Sequence, residues 1–116
     1  MEINELVAKI IAFRDARDWK QFHTPNHLAA AIAIEAAELQ EEFLWMTEAQ
    51  VRDKIFDPKK RQSVEEELAD VLILTLLLTE TIGADPAKIV QHKLAKNEEK
   101  YPVEKARGTA KKYNTL

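Results

Sequence analysis

The residues best equipped for chemistry in this chain of 116 residues are carboxylates in two short runs, Glu35-Ala36-Ala37-Glu38 and Glu67-Leu68-Ala69-Asp70. Both runs read as helical, so the acids of each pair lie one turn apart on a shared face. At about 100° per residue, Glu35, Glu38 and Glu42 fall in the stripe of Leu28, Ile32, Leu39 and Met46. Glu67 and Asp70 fall in the stripe of Val64, Val71, Leu74 and Leu78. A solvated carboxylate would take the opposite face. Setting several like charges among apolar side chains is costly unless cations or donors compensate, and a polynuclear metal site is the simplest compensation. Oxygen donors without histidine or cysteine suit magnesium or manganese better than zinc or copper. Such ions keep positions for water and for substrate phosphates, which points to hydrolysis of a phosphate ester or phosphoanhydride. Glu35, Glu38, Glu67 and Asp70 are therefore the expected metal ligands and catalytic groups.

Each signal has a plainer reading beside it. One E-x-x-E run is ordinarily a solvated helix face; two such runs on the apolar stripes of neighbouring helices are harder to explain that way. A di-iron site of the ferritin type expects E-x-x-H on two helices, and His23, His27 and His92 stand in no such register. Glu42 shares the first stripe but serves equally well as partner to a lysine, while Glu41, Glu65 and Glu66 read as surface. Trp19 and Trp45 lie near helix ends and either pack in the core or offer a stacking surface for a planar base. His23 either hydrogen-bonds a ligand or plays a structural part. The basic stretch near Tyr113 either solubilises the chain or contacts phosphate.

Helices must position these groups. The first is expected from about Asn4 to Phe22. Thr24-Pro25 supplies an N-cap and a proline at the first helical position for a second helix that reaches Trp45-Met46. Thr47-Glu48-Ala49-Gln50 fits a capping box opening a short helix to about Ile55. Asp57-Pro58 repeats the cap-then-proline pattern, with Ser63 a second possible start, and Gly83 marks the stop. From Val71 to Leu78 that third long helix is apolar nearly all round, so it is expected to be the central and most buried one. Asp85-Pro86 begins a fourth long helix that Pro102 ends near Tyr101. The expected fold is all-α: a bundle of four main helices plus a short one, with the two acidic helices antiparallel, in a single domain over residues 1–116 with a basic tail from about 102 to 116.

Composition agrees. Hydrophobic residues make up 46% and charged residues 32%, with two glycines and four prolines, a helical and well-packing mixture. A net charge of −3 argues against general nucleic-acid binding. There is no cysteine, so disulfides and thiolate sites are excluded. Met1-Glu2-Ile3-Asn4-Glu5 has no signal-peptide character, and the longest apolar run is too short for a membrane span, so a cytoplasmic protein without membrane contact is expected.

Longer words around the acids carry a resemblance. They are Asp18-Trp19-Lys20-Gln21-Phe22-His23, Glu38-Leu39-Gln40-Glu41-Glu42-Phe43-Leu44-Trp45, Glu66-Glu67-Leu68-Ala69-Asp70-Val71-Leu72, and Lys93 to Pro102 followed by Gly108-Thr109-Ala110-Lys111-Lys112-Tyr113. With E-x-x-E, a spacer and E-x-x-D, nearly the whole chain resembles the all-α nucleoside triphosphate pyrophosphohydrolases of the MazG-like superfamily, in particular the short branch that includes dCTP pyrophosphatase. The resemblance implies cleavage of a nucleoside triphosphate between its α and β phosphates, with Mg²⁺ on Glu35, Glu38, Glu67 and Asp70. It also implies that Lys93, Asn97 and Tyr101 approach the triphosphate or sugar, with Arg107, Lys111 and Tyr113 in the same region, and that Trp19 and Trp45 line the base pocket. Dimers or tetramers, with part of each pocket from a neighbouring subunit, are implied as well. Ile10 and Leu74 stand where histidine and tyrosine are expected in the eukaryotic dCTP enzymes, which loosens any inference of strict dCTP preference. Two other classes share the acids: a non-catalytic helical module that binds nucleotide or metal, distinguished by lacking turnover, and a structural oligomeriser, distinguished by indifference to metal.

Overall fold

A computed structural model describes all residues, 1–116, and the chain is entirely helical apart from turns. Six α-helices run in order: α1 (Ile3–Ala16), α2 (Pro25–Glu41), α3 (Glu48–Phe56), α4 (Pro58–Thr81), α5 (Pro86–Lys100) and α6 (Val103–Ala106), with short 3₁₀ turns at Lys20–Phe22 and Tyr113–Thr115. Four long helices and the short α3 match the expected set; α6 adds a four-residue turn inside the basic tail. No helix is long and apolar enough to cross a membrane.

Local chemistry explains most boundaries. Thr47 accepts from the Gln50 N–H at 3.2 Å while Gln50 Oε1 accepts from the Thr47 N–H at 2.9 Å, the reciprocal capping box that opens α3. Asp57 and Asp85 accept from the Lys59 and Lys88 N–H groups, each just ahead of a proline that costs no helical hydrogen bond. Gly83 takes φ 72° after α4, the left-handed conformation that terminates helices at least cost.

Three expectations need correction. The first helix stops at Ala16 rather than Phe22, because Asp18 adopts φ 54° and the Trp19 N–H turns back to the Arg14 carbonyl at 3.2 Å. Asparagine and aspartate tolerate that conformation better than other side chains, and Gln21 Nε2 donates to both Asp18 O and Oδ2. The second helix ends at Glu41, with turns to Trp45 at φ 63°. Thr24 stands at the N-cap of α2, but its hydroxyl donates to Asn26 Oδ1 at 2.6 Å instead of accepting a backbone N–H.

Contacts divide the chain into two compact units, residues 1–83 and 84–116. In the first, α4 packs most extensively on α2 and also touches α1 and α3. Leu28 of α2 meets Leu77 of α4 in the core with Ile10, while Glu38 meets Glu67 at the other end, so α2 and α4 run antiparallel. Arg14, 2% exposed, ties α1 to α4 by donating from Nη1 to Glu80 Oε2 at 2.6 Å. The middle of α4 is less buried than its composition suggests: Leu77 is buried, yet Leu68, Leu72 and Ile73 are exposed, because α1, α2 and α3 cover only one side of it. In the second unit, the Tyr101 N–H donates to Asn97 O at 2.8 Å as α5 ends, and the Tyr101 and Tyr113 rings meet edge-on at 6.2 Å.

Candidate metal and nucleotide site

The acids meet because α2 and α4 lie antiparallel with their E-x-x-E and E-x-x-D turns side by side. One carboxylate oxygen from each of Glu35, Glu38 and Glu67 lies within 4.8 Å of the other two. Glu35 and Glu67 are half-buried, whereas Glu38 and Asp70 are exposed. Burial of all four, as the apolar stripes implied, is therefore only half met within one chain. Asp70 stands just outside the three-oxygen cluster but close enough for its charge to act on both Glu35 and Glu67.

Crowding shows in the proton affinities. Proton sharing with Glu38 leads the causes that push the Glu35 carboxyl up to about 7, followed by desolvation and by the charges of Glu38, Asp70 and Glu67. Glu67 is raised too, chiefly by desolvation and then by Glu38. A site that must hold protons to relieve its own repulsion is one a divalent cation can relieve instead. Glu35 Oε2 and Glu67 Oε2 are buried without any hydrogen-bond partner, so the donors fit a hard cation and have lone pairs to give it. Glu35, Glu38 and Glu67 would hold it, with Asp70 adjoining.

Glu42 belongs elsewhere. Lys54 Nζ donates to its carbonyl at 2.6 Å and to its Oε2 at 3.2 Å, closing the C-terminal end of α2 with a cation from α3. The Ser63 hydroxyl and then Lys54 hold the Glu42 carboxyl below its ordinary value, opposite in direction to Glu35 and Glu67. The lysine partner anticipated for Glu42 is Lys54. Glu65 pairs with Arg61 one turn away on the surface, and Glu41 and Glu66 are also exposed.

Beside the acids lies a cavity of about 190 Å³ lined by Glu35 and Asp70, by Trp19, His23 and Phe13, and by Ile73, Leu74 and Leu77. Trp19 packs edge-on against Phe13 at 5.8 Å and lies 6.5 Å from the His23 ring, whose Nδ1 is buried and unpartnered. Trp19, His23, Glu35 and Asp70 are thus brought together. Trp45 is not with them: it is 92% exposed and lines a separate cavity of about 830 Å³ with Met46, Lys54 and Lys60. Lys93, Asn97, Tyr101, Arg107, Lys111 and Tyr113 all belong to residues 84–116, where Asn97 is half-buried and the others are exposed. Arg14 also borders the smaller cavity and was not anticipated. Its place in the helical pattern, one turn past the core residue Ile10, was the available signal.

Fold and site together define a class: an all-α protein whose paired helical carboxylates can hold a divalent cation at the mouth of an aromatic cavity. Comparison with known proteins makes the relationship specific. The model of the MazG-like family matches residues 30–116, and the chain belongs to that family. It is 39% identical over 104 residues to dCTP pyrophosphatase 1 of Rattus norvegicus and 36% identical over 104 residues to that of Homo sapiens. Each alignment covers 90% of this chain and 61% of the mammalian protein, so the chain spans about three-fifths of those relatives' length. The crystal structure of a pyrophosphatase from Archaeoglobus fulgidus superposes with a TM-score of 0.78 at 41% identity, covering 86% of this chain and 92% of that one.

Proposed function

We propose that the chain is a Mg²⁺-dependent nucleoside triphosphate pyrophosphohydrolase that converts a (deoxy)nucleoside triphosphate to its monophosphate and pyrophosphate. The observation that carries this reading is Glu35, which belongs both to the carboxylate cluster and to the border of the aromatic cavity, with Asp70 beside it on that border. A nucleotide needs both parts next to each other: acids for a phosphate-bound cation and an aromatic shelf for a base. Kinship with proteins named for pyrophosphatase activity supports the same chemistry, and dCTP or a related nucleotide is the substrate those names suggest.

When bound, Mg²⁺, or Mn²⁺ in its place, neutralises phosphate charge and acidifies water at neutral pH. The protein's own part is to present Glu35 Oε2 and Glu67 Oε2 unencumbered, with Glu38 and Asp70 adding charge at the exposed rim. The Glu35 carboxyl, pushed up to about 7 in the metal-free cluster, would release its proton as the cation binds. Trp19 and His23 offer a stacking face and a free ring nitrogen, while Lys93, Asn97 and Tyr101, with Arg107, Lys111 and Tyr113, carry the cations and polar groups that phosphates require. A dimer or tetramer belongs to the reading because the exposed Leu68, Leu72 and Ile73 on α4 form an apolar stretch that one chain leaves uncovered. Removal of non-standard triphosphates from the nucleotide pool is the cellular role such an activity serves.

The test is a panel of eight nucleoside triphosphates, with and without Mg²⁺, the products separated by ion exchange. Monophosphate and pyrophosphate, formed only with metal, are expected. Diphosphate and orthophosphate would overturn the bond assignment, and no turnover on any substrate would favour a nucleotide-binding module instead.

A further inference from the structure

Arg17 turns its charge to aromatic rings rather than to a carboxylate. It takes part in none of the chain's ion pairs. Its guanidinium carbon lies 3.7 Å from the centroid of the Phe13 ring and 6.0 Å from that of Trp19, where the negative face of a ring attracts a cation. Nη1 donates to the Phe13 carbonyl at 2.9 Å, so one guanidinium serves the C-terminal end of α1 and the ring one turn back. The Phe13 ring in turn meets Trp19 edge-on, 5.8 Å away at 76°. Phe13 and Trp19 both line the aromatic cavity; Arg17 stands outside that lining and reaches the cavity only through them.

Trp19 needs such support. It follows Asp18 at φ 54°, beyond the last turn of α1, and it is 42% exposed, while Phe13 is 50% exposed. The buried core holds neither ring. A ring left free to swing must be ordered when a ligand arrives, and the lost freedom weakens binding; a ring already clamped has lost it beforehand. We propose that Arg17 is a positioning residue: stacked on Phe13, its guanidinium holds Trp19 in the orientation that receives the base of the nucleotide. This rests on the nucleotide reading above. The role concerns the base alone, whereas an arginine that bound substrate directly would act on the phosphates.

The experiment is calorimetric titration, with Mg²⁺, of the α,β-imido analogues of dCTP, dTTP, dGTP and dATP and of inorganic tripolyphosphate. The proteins are the wild-type chain, Arg17→Met, Phe13→Leu and the double variant. Arg17 is exposed, so Arg17→Met should fold normally by circular dichroism. For the analogue that wild type binds best, Arg17→Met should weaken binding about 3- to 10-fold and leave tripolyphosphate, which has no base, unchanged. The double variant should bind no more weakly than Phe13→Leu, because Arg17 acts through Phe13. In a Trp45→Phe background Trp19 is the sole tryptophan. There Arg17→Met should speed the nanosecond depolarisation of its fluorescence without nucleotide, and Arg17→Lys, which restores a cation over the ring, should reverse part of the change. Equal loss for tripolyphosphate, additive losses in the double variant, or unchanged depolarisation would overturn the proposal and leave the nucleotide reading standing. Binding without hydrolysis of the natural nucleotides would overturn the pyrophosphohydrolase reading alone; no binding of any analogue by wild type would overturn both.

Discussion

Glu35 keeps its proton to about pH 7 because Glu38, Glu67 and Asp70 crowd it, and that has two measurable consequences. Its folded proton affinity exceeds that of the unfolded chain, so between the ordinary carboxylate range and about 7 the folded state binds more protons. Stability of the metal-free protein therefore falls as pH rises through that window, with Glu67 acting in the same direction. Melting temperatures in chelator should be lower at about pH 8 than at about pH 5, and Mg²⁺ should remove the difference. Metal must also displace the proton, so Mn²⁺ affinity followed by paramagnetic resonance should weaken by up to about tenfold per pH unit below neutrality. A flat profile would place the cation elsewhere. Asp70 is exposed, so Asp70→Asn should fold normally by circular dichroism while Mg²⁺-dependent turnover is lost; full activity in the folded variant would remove Asp70 from the site.

Among the elements, α3 does more than connect α2 to α4, because it delivers Lys54 to the end of α2. Thr47 opens α3 with both halves of a capping box, and Thr47→Ala should cost about 1 kcal/mol in urea unfolding. Trp45, at the turn between α2 and α3, presents a conflict between stability and function. At φ 63° an L-residue is strained by about 1–2 kcal/mol, and a side chain 92% exposed recovers almost nothing by packing. Trp45→Gly should therefore leave the chain as stable as wild type or more so. If Trp45 stacks on a base in the assembled enzyme, as the family resemblance implies, the same variant should lose nucleotide affinity. Stability gained with affinity unchanged would show that Trp45 serves neither.

At the scale of the molecule, very few apolar side chains are fully buried, namely Ile10, Leu28 and Leu77, while Ile34 at 61% and Leu72 at 56% stand exposed. Apolar surface of that extent on long helices is the mark of a surface awaiting a partner. Light scattering is expected to give the mass of a dimer or larger, and Leu72→Glu should shift it toward the 13.3 kDa chain. A wild-type chain that stays monomeric at high concentration would refute assembly through this face of α4.

Caps, stops and acidic pairs were legible in the residues because each is set by neighbours within a turn or two. Thr47 to Gln50, Asp57-Pro58, Asp85-Pro86 and Gly83 mark their helix ends, and Glu35/Glu38 and Glu67/Asp70 share faces through spacing alone. The break at Asp18 escaped notice because no glycine or proline marks it. The run from Val71 to Leu78, apolar nearly all round, reads as buried but does not tell whether anything covers it, and Leu72 is exposed. Only the tertiary structure brought Glu67 to Glu35 and Glu38, Lys54 to Glu42, and Glu80 to Arg14 across 66 positions of sequence. Those meetings depend on how α1, α2, α3 and α4 pack, and packing is a property of surfaces in contact that no local run of residues encodes.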